Sequence, residues 1–327
     1  MKPTPFAEEQ DNSQFVRRLS LWPSMCGGSS RLVSQIGDWT WEMSERFCQA
    51  NPTRAFAPNG DPTYLSFCYI RLKAGAYMDW NDVGIGDEME VSSRPYRSGP
   101  GGLHTVHRLQ RLSRPGAERG TGSDKPEQSP PLLTVEEAHE SLKDHCLYAE
   151  TYNRWVSRSD PSSNENLIRA APSLFQNRNL DDLPRHYRAK RFFQVAQEYG
   201  SFYVETGSEE TLSLPEPIFL YAIDPTHDVN GVGLLYFASY FAMIDRAFLD
   251  AWVTLGGTIR EFVSRRVLEQ RIVYLGNADF ETSLCIHRSL RRIPGENVLI
   301  FDASMQRSHD QKTIAIATFW VELGPTQ

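Results

Sequence analysis

The chain has 327 residues, 40% of them apolar and 11% aromatic, enough to form two domains of ordinary size or one large one. Its formal net charge of −7 argues against broad nucleic-acid binding, which needs a basic surface. No apolar run reaches the ~18 residues of a membrane-spanning helix, and five scattered cysteines without a Cys-x-x-Cys pair suggest neither a zinc site nor a disulfide framework.

The opening MKPTPFAEEQDNSQF has no apolar core of signal-peptide length, so a reducing cytoplasm is the expected location. Residues 1–24 read as an irregular lead-in whose Phe15, Leu19, Leu21 and Trp22 can pack on a core. The turn Met25-Cys26-Gly27-Gly28-Ser29-Ser30 then opens a helical pattern through Leu32, Ile36, Trp39, Met43 and Phe47. Asn51-Pro52 ends it, because the residue before proline is pushed out of helical geometry.

Strands are expected at Tyr64–Leu72, Glu88–Ser93, Leu103–Leu109 and Leu147–Ser157. His104 and His107 are three apart, so they face opposite sides of their strand and read as structural. Residues 113–131 are rich in Pro, Gly, Ser and charge and are expected to be a flexible loop. Thr134 to Glu137 fits a capping box for a short helix. A polar crossover at 161–190 separates a first unit, 1–160, from a second, 191–327, which is expected to begin with strand near Phe192–Val204.

The second unit turns on Asp224–Leu255. A polar, glycine-bearing turn from Asp224 to Gly233 feeds a long apolar helix through Leu234, Ala238, Phe241, Ile244, Phe248, Trp252 and Leu255. Those spacings of three and four suit a helix buried along one face, and Gly256-Gly257 closes it. Further strands are expected at Val263–Tyr274, Thr282–Leu290, Asn297–Gln306 and Thr313–Leu323. Both halves therefore read as glycine turn, long helix and antiparallel strands. A helix enclosed by a curled antiparallel sheet is a hot-dog fold. Two copies predict an α+β double hot dog, its sheets joined edge to edge so that sheet edges are hidden.

The start of the second helix is the chemical candidate. Its first turn leaves amides without partners and carries partial positive charge, and glycine lets a ligand approach the backbone. A thioester oxygen gaining negative charge suits such a place. Asn230, Gly231, Val232 and Gly233 are the candidate substrate-binding residues; the structural alternative, that Asn230 caps and the glycines turn the chain, has equal weight. His227 reads as a cap-region hydrogen bonder ahead of a base. Asn277 reads as a turn residue ahead of a group orienting the acyl moiety. Two basic clusters, Arg185/Arg188/Lys190/Arg191 and Arg288/Arg291/Arg292, read first as solvated charge and second as a docking patch for phosphate or an acidic carrier protein. No metal or redox cofactor is implied.

Asp224…Asn230-Gly231…Tyr236 resembles the signature of hot-dog acyl-CoA thioesterases, with His227-Asp228-Val229-Asn230 in place of the common Gly-His-Val-Asn order. A wider set is Met25-Cys26-Gly27-Gly28-Ser29-Ser30, Ile36-Gly37-Asp38-Trp39, Pro62-Thr63-Tyr64-Leu65, Tyr148-Ala149-Glu150-Thr151 and Asn230-Gly231-Val232-Gly233-Leu234-Leu235-Tyr236. Together these resemble the double hot-dog bifunctional methylmalonyl-CoA acyltransferase/decarboxylases of polyketide biosynthesis, of leinamycin type, over roughly residues 20–325. The resemblance implies that methylmalonyl-CoA loses CO₂ and that propionyl passes to the phosphopantetheine thiol of an acyl carrier protein, for β-alkylation of a polyketide. It implies a coenzyme A thioester as substrate, no cofactor of the protein's own, and an acyl carrier protein as partner. Oligomerisation is left open.

The resemblance also implies a catalytic tyrosine just after the first central helix. Tyr64 fits that place, with Tyr69 the fallback. An ordinary tyrosine is only ~0.1% ionised at pH 7. Tyr64 would therefore act either as an activated nucleophile or as a neutral donor to a thioester enolate. The rival readings are an acyl-thioester hydrolase, with Asp224, Asp228 or Glu150 as base, and a non-catalytic double hot dog that binds a carrier protein. A hot-dog dehydratase ranks low, because the chain has no His-x-x-x-Gly-x-x-x-x-Pro pattern.

Overall fold

The computed structural model describes residues 8–10, 13–81, 83–114, 131–203, 207 and 209–323. The first half holds β1 (Glu8–Gln10), β2 (Phe15–Ser20), α1 (Ser29–Cys48), β3 (Tyr64–Ala74), β4 (Glu88–Arg97), β5 (Gly102–Ser113), α2 (Val135–Glu140) and β6 (Cys146–Arg158). β7 (Leu167–Arg169) and α3 (Ala189–Tyr199) lie on the crossover. The second half holds β8 (Glu210–Leu212), β9 (Ile218–Ala222), α4 (Phe237–Thr254), α5 (Ile259–Val263), β10 (Arg266–Tyr274), β11 (Ser283–Arg292), β12 (Val298–Arg307) and β13 (Thr313–Glu322).

All described strand pairs are antiparallel and form one sheet, in the order β1-β2-β4-β5-β6-β3-β10-β13-β12-β11-β8, with β7 on β6 and β9 on β11. From the middle outward, β3-β6-β5-β4-β2 on one side answers β10-β13-β12-β11-β9 on the other. α1 buries Leu32, Ile36, Trp39 and Met43, and α4 buries Phe241, Ile244 and Phe248. Met43 aside, both stripes join one apolar core with residues of both half-sheets. This is the double hot dog expected from the repeat of helix and strands.

The seam is the pairing of β3 with β10, where Arg71 stands opposite Arg271. Like charges at facing positions repel, and here Glu269 lies with them. Its Oε1 accepts from Arg71 Nε at 2.7 Å, and Lys73 Nζ stands 3.4 Å from Oε2. Arg71 also donates to the Ala138 carbonyl. The buried Glu150 lies 3.8 Å from Arg71 Nη1, with the Nε2 atoms of His104 and His139 at 2.8 and 2.9 Å from its oxygens. Burial opposes ionisation of Glu269, but Arg71, Arg271 and Lys73 outweigh it and bring its carboxyl down to about 2. Burial likewise opposes ionisation of Glu150, which is nonetheless held well below the usual carboxylate range by the two histidines.

Several elements differ from the sequence reading. The lead-in contains β2, paired with β4 through Phe15↔Ser93 to Ser20↔Glu88. Phe192 to Tyr199 belongs to helix α3 rather than a strand. Phe192, Val195, Ala196 and Tyr199 recur at helical spacing, and Gly200 caps the helix at φ +65°. Thr134 caps α2 by accepting from Glu137 N, but the Glu137 carboxylate receives Arg108 and Tyr148 instead of completing a box. α4 begins at Phe237, three residues after the expected start, with Tyr236 at its cap position. In the second basic cluster, Arg288 and Arg291 are buried and paired with Asp250 and Asp302, so they form no solvated patch. Most of the loop expected at 113–131 lies outside the described residues.

Glu269→Gln removes one partner from this buried seam. We expect it to cost about 3 kcal/mol at neutral pH by denaturant unfolding. A carboxyl whose value is depressed on folding stabilises above its unfolded value, 4.5, and loses that stabilisation as pH falls towards 2. The gap between wild type and variant should therefore close across that acid range. A gap independent of pH would assign the loss to packing.

Candidate functional site

A cleft of about 690 Å³ opens between the two halves. One wall is Trp41 on α1, the loop residues Pro52–Phe56 and the start of β3, Pro62–Phe67. The other is the turn before α4, residues 229–232 and 234–237, with Asn277 from the loop after β10. The seam explains this meeting. β3 and β10 run antiparallel, so the end of β10 lies beside the beginning of β3.

The position related to it by the pseudo-symmetry, beside the start of α1, is filled. There the chain after β3 folds back and buries Met78, Trp80 and Val83. Asp79 Oδ1 accepts from Val267 N at 3.1 Å, and Asn81 Nδ2 donates to the Arg265 carbonyl at 3.0 Å. The two halves share an architecture but present different sites.

On the first wall, Asn51 organises the loop by accepting from Thr53 N and Oγ1 at 2.8 and 2.7 Å. Ala57 N bonds Asp61 O at 2.8 Å, Thr63 N bonds Ala55 O at 2.9 Å, and Gly60 turns the chain between them at φ +88°. This presents the exposed Arg54 and Phe56 at the cleft. Arg54 has no ion-pair partner among the described residues.

The second wall is a turn held almost wholly by its own hydrogen bonds. The buried Asp228 accepts from Tyr221 Oη and Asp224 N, both at 2.9 Å, and its carbonyl takes Tyr236 N at 2.7 Å. Burial, with Asp228 against the hydroxyl, raises the Tyr221 phenol. Asn230 Oδ1 accepts from Val232 N and Leu234 N at 3.1 and 3.0 Å, while Gly233 N bonds Asn230 O and Asn230 N bonds Leu234 O. Gly233 stands at φ +77°, a conformation that favours glycine. Asn277 docks the turn to β10: its Oδ1 accepts from Leu235 N at 3.1 Å, and its Nδ2 donates to Leu235 O at 3.3 Å.

These bonds change how the candidate residues read. Asn230 does not cap α4; it closes a loop ahead of it. The amides of Val232 and Gly233 are already taken within the turn. Among the described residues from Asn230 to Tyr236, the Gly231 amide alone has no protein acceptor. Asn230, Gly231, Val232 and Asn277 line the cleft, whereas Gly233 and His227 are not among the lining residues. The His227 side chain is 69% exposed and its Nδ1 stands 3.0 Å from Asp228 Oδ1.

Tyr64 lines the cleft at the first residue of β3. Its hydroxyl oxygen accepts from Arg158 Nη1 at 2.9 Å. The same guanidinium donates Nη2 to the Val232 carbonyl at 2.6 Å and Nε to Asn164 Oδ1 at 3.0 Å. Asn164 in turn donates to Gly233 O at 2.7 Å, and its own amide is held by Asp279 Oδ1 at 2.6 Å. Arg158 thus joins the tyrosine of one half to the turn of the other. Register puts it there: Val156 faces Tyr64 on the paired strand, so Arg158 is the diagonal neighbour on the same face. The sequence reading named neither Arg158 nor Asn164. The available signal was an arginine placed directly after the expected strand Leu147–Ser157.

Tyr69, the fallback, lies elsewhere. It is fully buried and stacked on Phe192 with ring centroids 4.9 Å apart, and burial raises its phenol. His107, on the inner face of β5, lies between Ser93 and Thr40, and burial lowers its imidazole to about 3. His104, on the outer face, meets Glu150. None of Asp224, Asp228 and Glu150 lines the cleft. Among the described residues, its lining contains no carboxylate and no histidine.

Known families and structures now bear on this geometry. The family model described as the LnmK N-terminal hot-dog fold domain matches residues 16–204, more than half of the chain. The chain belongs to that family. No curated protein matches it in sequence. Among solved structures, a putative oleoyl thioesterase from Lactobacillus plantarum aligns at TM-score 0.55 and 9% identity, over 96% of this LnmK-family chain and 98% of that one. An acyl-ACP thioesterase from Bacteroides thetaiotaomicron aligns at 0.54 and 9%, over 95% and 98%. The 12:0-ACP thioesterase from Umbellularia californica aligns at 0.53 and 10%, over 95% and 94%. At these identities the likeness establishes the shared fold.

Asn277→Ala would leave the buried Leu235 amide without its acceptor. We expect a loss of about 1–3 kcal/mol in denaturant unfolding. An unchanged unfolding midpoint would show that the turn does not depend on Asn277.

Proposed function

We propose that this protein is an acyltransferase/decarboxylase that converts methylmalonyl-CoA to propionyl-S-acyl carrier protein. The observation that carries this reading is a cleft with a phenol, a guanidinium and a free amide, but no general base among its described lining. Hydrolysis of a thioester calls for a group that activates water. Decarboxylation calls for something else: stabilisation of the enolate left when CO₂ departs. A carboxylate in the wall would also repel the substrate's own carboxylate. The thioesterases among the structural relatives, and membership of the LnmK family, support an acyl thioester as the substrate class.

Each residue then has a part. The Tyr64 hydroxyl accepts from Arg158, which leaves its own hydrogen free to donate to the thioester oxygen. Arg158 sets a positive charge against the phenol oxygen, where it steadies negative charge arising during the reaction. The Gly231 amide supplies a second donor on the facing wall. Apolar lining from Trp41, Leu65, Phe67 and Phe237 removes water from the carboxylate that leaves. Loss of CO₂ breaks the bond between the α-carbon and the carboxyl carbon, and its electron pair forms the enolate. A proton then returns to that carbon. Transfer of propionyl forms a new thioester with the carrier thiol and releases coenzyme A. Tyr64 serves this transfer either as an acyl acceptor or as the donor that holds the carbonyl oxygen. Arg54, without an ion-pair partner among the described residues, would meet the phosphates of the coenzyme or of the phosphopantetheine arm.

The test is intact-mass analysis of a phosphopantetheinylated carrier protein incubated with methylmalonyl-CoA and this protein. A propionyl adduct is expected. Tyr64→Phe should slow its formation by about 10²–10³-fold, and Arg158→Met by about 10²-fold, with binding of propionyl-CoA largely kept. A methylmalonyl adduct would leave transfer without decarboxylation. Free acid with no adduct would make the protein a thioesterase, and binding without turnover would make it a carrier-binding scaffold.

A further inference from the structure

We infer that the stacked pair Phe67–Phe237, braced by Trp41 and seated on Gly37, is a chain-length stop that confines the cleft to short acyl groups. The inference rests on the acyl-thioester reading above and adds what sets the length of the acyl group.

All three rings line the cleft. Phe67 and Phe237 stack with centroids 4.0 Å apart and planes at 26°. Trp41 lies 5.7 Å from Phe67 and meets Phe237 edge-on at 5.8 Å and 80°. The edge contact of Trp41 with Phe237 is a favoured aromatic arrangement, and the Phe67–Phe237 pair is packed more closely still. Both phenylalanines are nearly buried, at 4% and 7% exposure.

The wall is fixed at three points. Trp41 Nε1 donates to the Leu65 carbonyl at 2.9 Å. The Phe237 carbonyl accepts from the half-buried Tyr274 hydroxyl of β10 at 2.9 Å. The third point is Gly37, in the middle of α1, where glycine weakens a helix. A Cβ there would lie 2.1 Å from Phe237 Cζ. The missing side chain is the space that the Phe237 ring occupies. Behind the rings, Ile36, Phe241 and Ile244 are wholly buried in the core shared by α1 and α4. A growing acyl chain entering past Tyr64 therefore meets rings held from β3, α1 and α4, with packed core beyond them. Protein interiors pack densely enough that one added methylene is felt.

The test measures binding rather than turnover, by calorimetry with S-alkyl-CoA thioethers of increasing chain length and the full chain. Wild type should bind the short thioethers and lose affinity as the chain reaches octyl. Phe237→Ala should move the optimum to longer chains, with about fourfold tighter binding per added methylene over about three methylenes. If that variant does not fold, as judged by thermal melting, Phe237→Leu replaces it and should give a smaller shift in the same direction. Gly37→Ala should lower the melting temperature of the wild type, and should lower it less when added to Phe237→Ala, because the clash at Phe237 Cζ is then gone. Wild type that binds octyl-CoA more tightly than propyl-CoA, or a folded Phe237 variant with the wild-type profile, would overturn the stop while leaving the functional reading intact. Binding of no thioether at all would overturn both.

Discussion

Everything in this molecule hangs on the antiparallel pairing of β3 with β10. That pairing turns two curled sheets into one and sets the buried Arg71 against the half-buried Arg271. Buried charge of one sign is costly unless it is paired and hydrogen-bonded. Glu269 and Glu150, with the histidines around them, supply that pairing. The seam also fixes the offset between the halves. Because the strands run in opposite senses, the entry to β3 and the exit from β10 come together, and with them Tyr64 and Asn277.

The cleft at that junction is built for rigidity. Its turn spends nearly all of its amides on itself, on Asn230 and on Asn277, so little reorganisation is left for the moment of reaction. Preorganised donors are effective because their orientation is settled before charge develops. Arg158 extends the same principle across the cleft, with one planar guanidinium touching Tyr64, Val232 and Asn164. A lysine could not do this, since its point charge lacks the fork that serves three acceptors in fixed directions. The absence of a carboxylate or histidine from the described lining is the observation on which the proposed enolate chemistry rests.

Much of the fold could be read from residue order. The stripes of α1 and α4 and the strands at Tyr64, Leu103, Cys146 and Val298 carry strong local patterns, and two matching halves implied the double hot dog. What failed locally was settled by tertiary contact. β2 is a strand because β4 offers it an edge, and α3 is a helix because its phenylalanines and Ala196 cover the outer face of the sheet at Tyr69 and Ile316. The site was legible only in part. Tyr64, Asn230, Gly231, Val232 and Asn277 were named and line one cleft, but no spacing could reveal that Asn230 occupies amides instead of freeing them. Arg158 and Asn164 were invisible because they reach the site through strand register and through a crossover that reads as linker. His227 was named on its neighbourhood in sequence, yet Asp228 takes the buried place and leaves the imidazole outside.

The central proposal is that this cleft removes CO₂ from an acyl thioester with no general base among its described lining residues. The most direct measurement is CO₂ release from methylmalonyl-CoA in deuterated water, with mass analysis of the acyl product. The account predicts CO₂ in step with product and one deuterium on the carbon that lost the carboxyl group. Methylmalonic acid formed without CO₂ would contradict it.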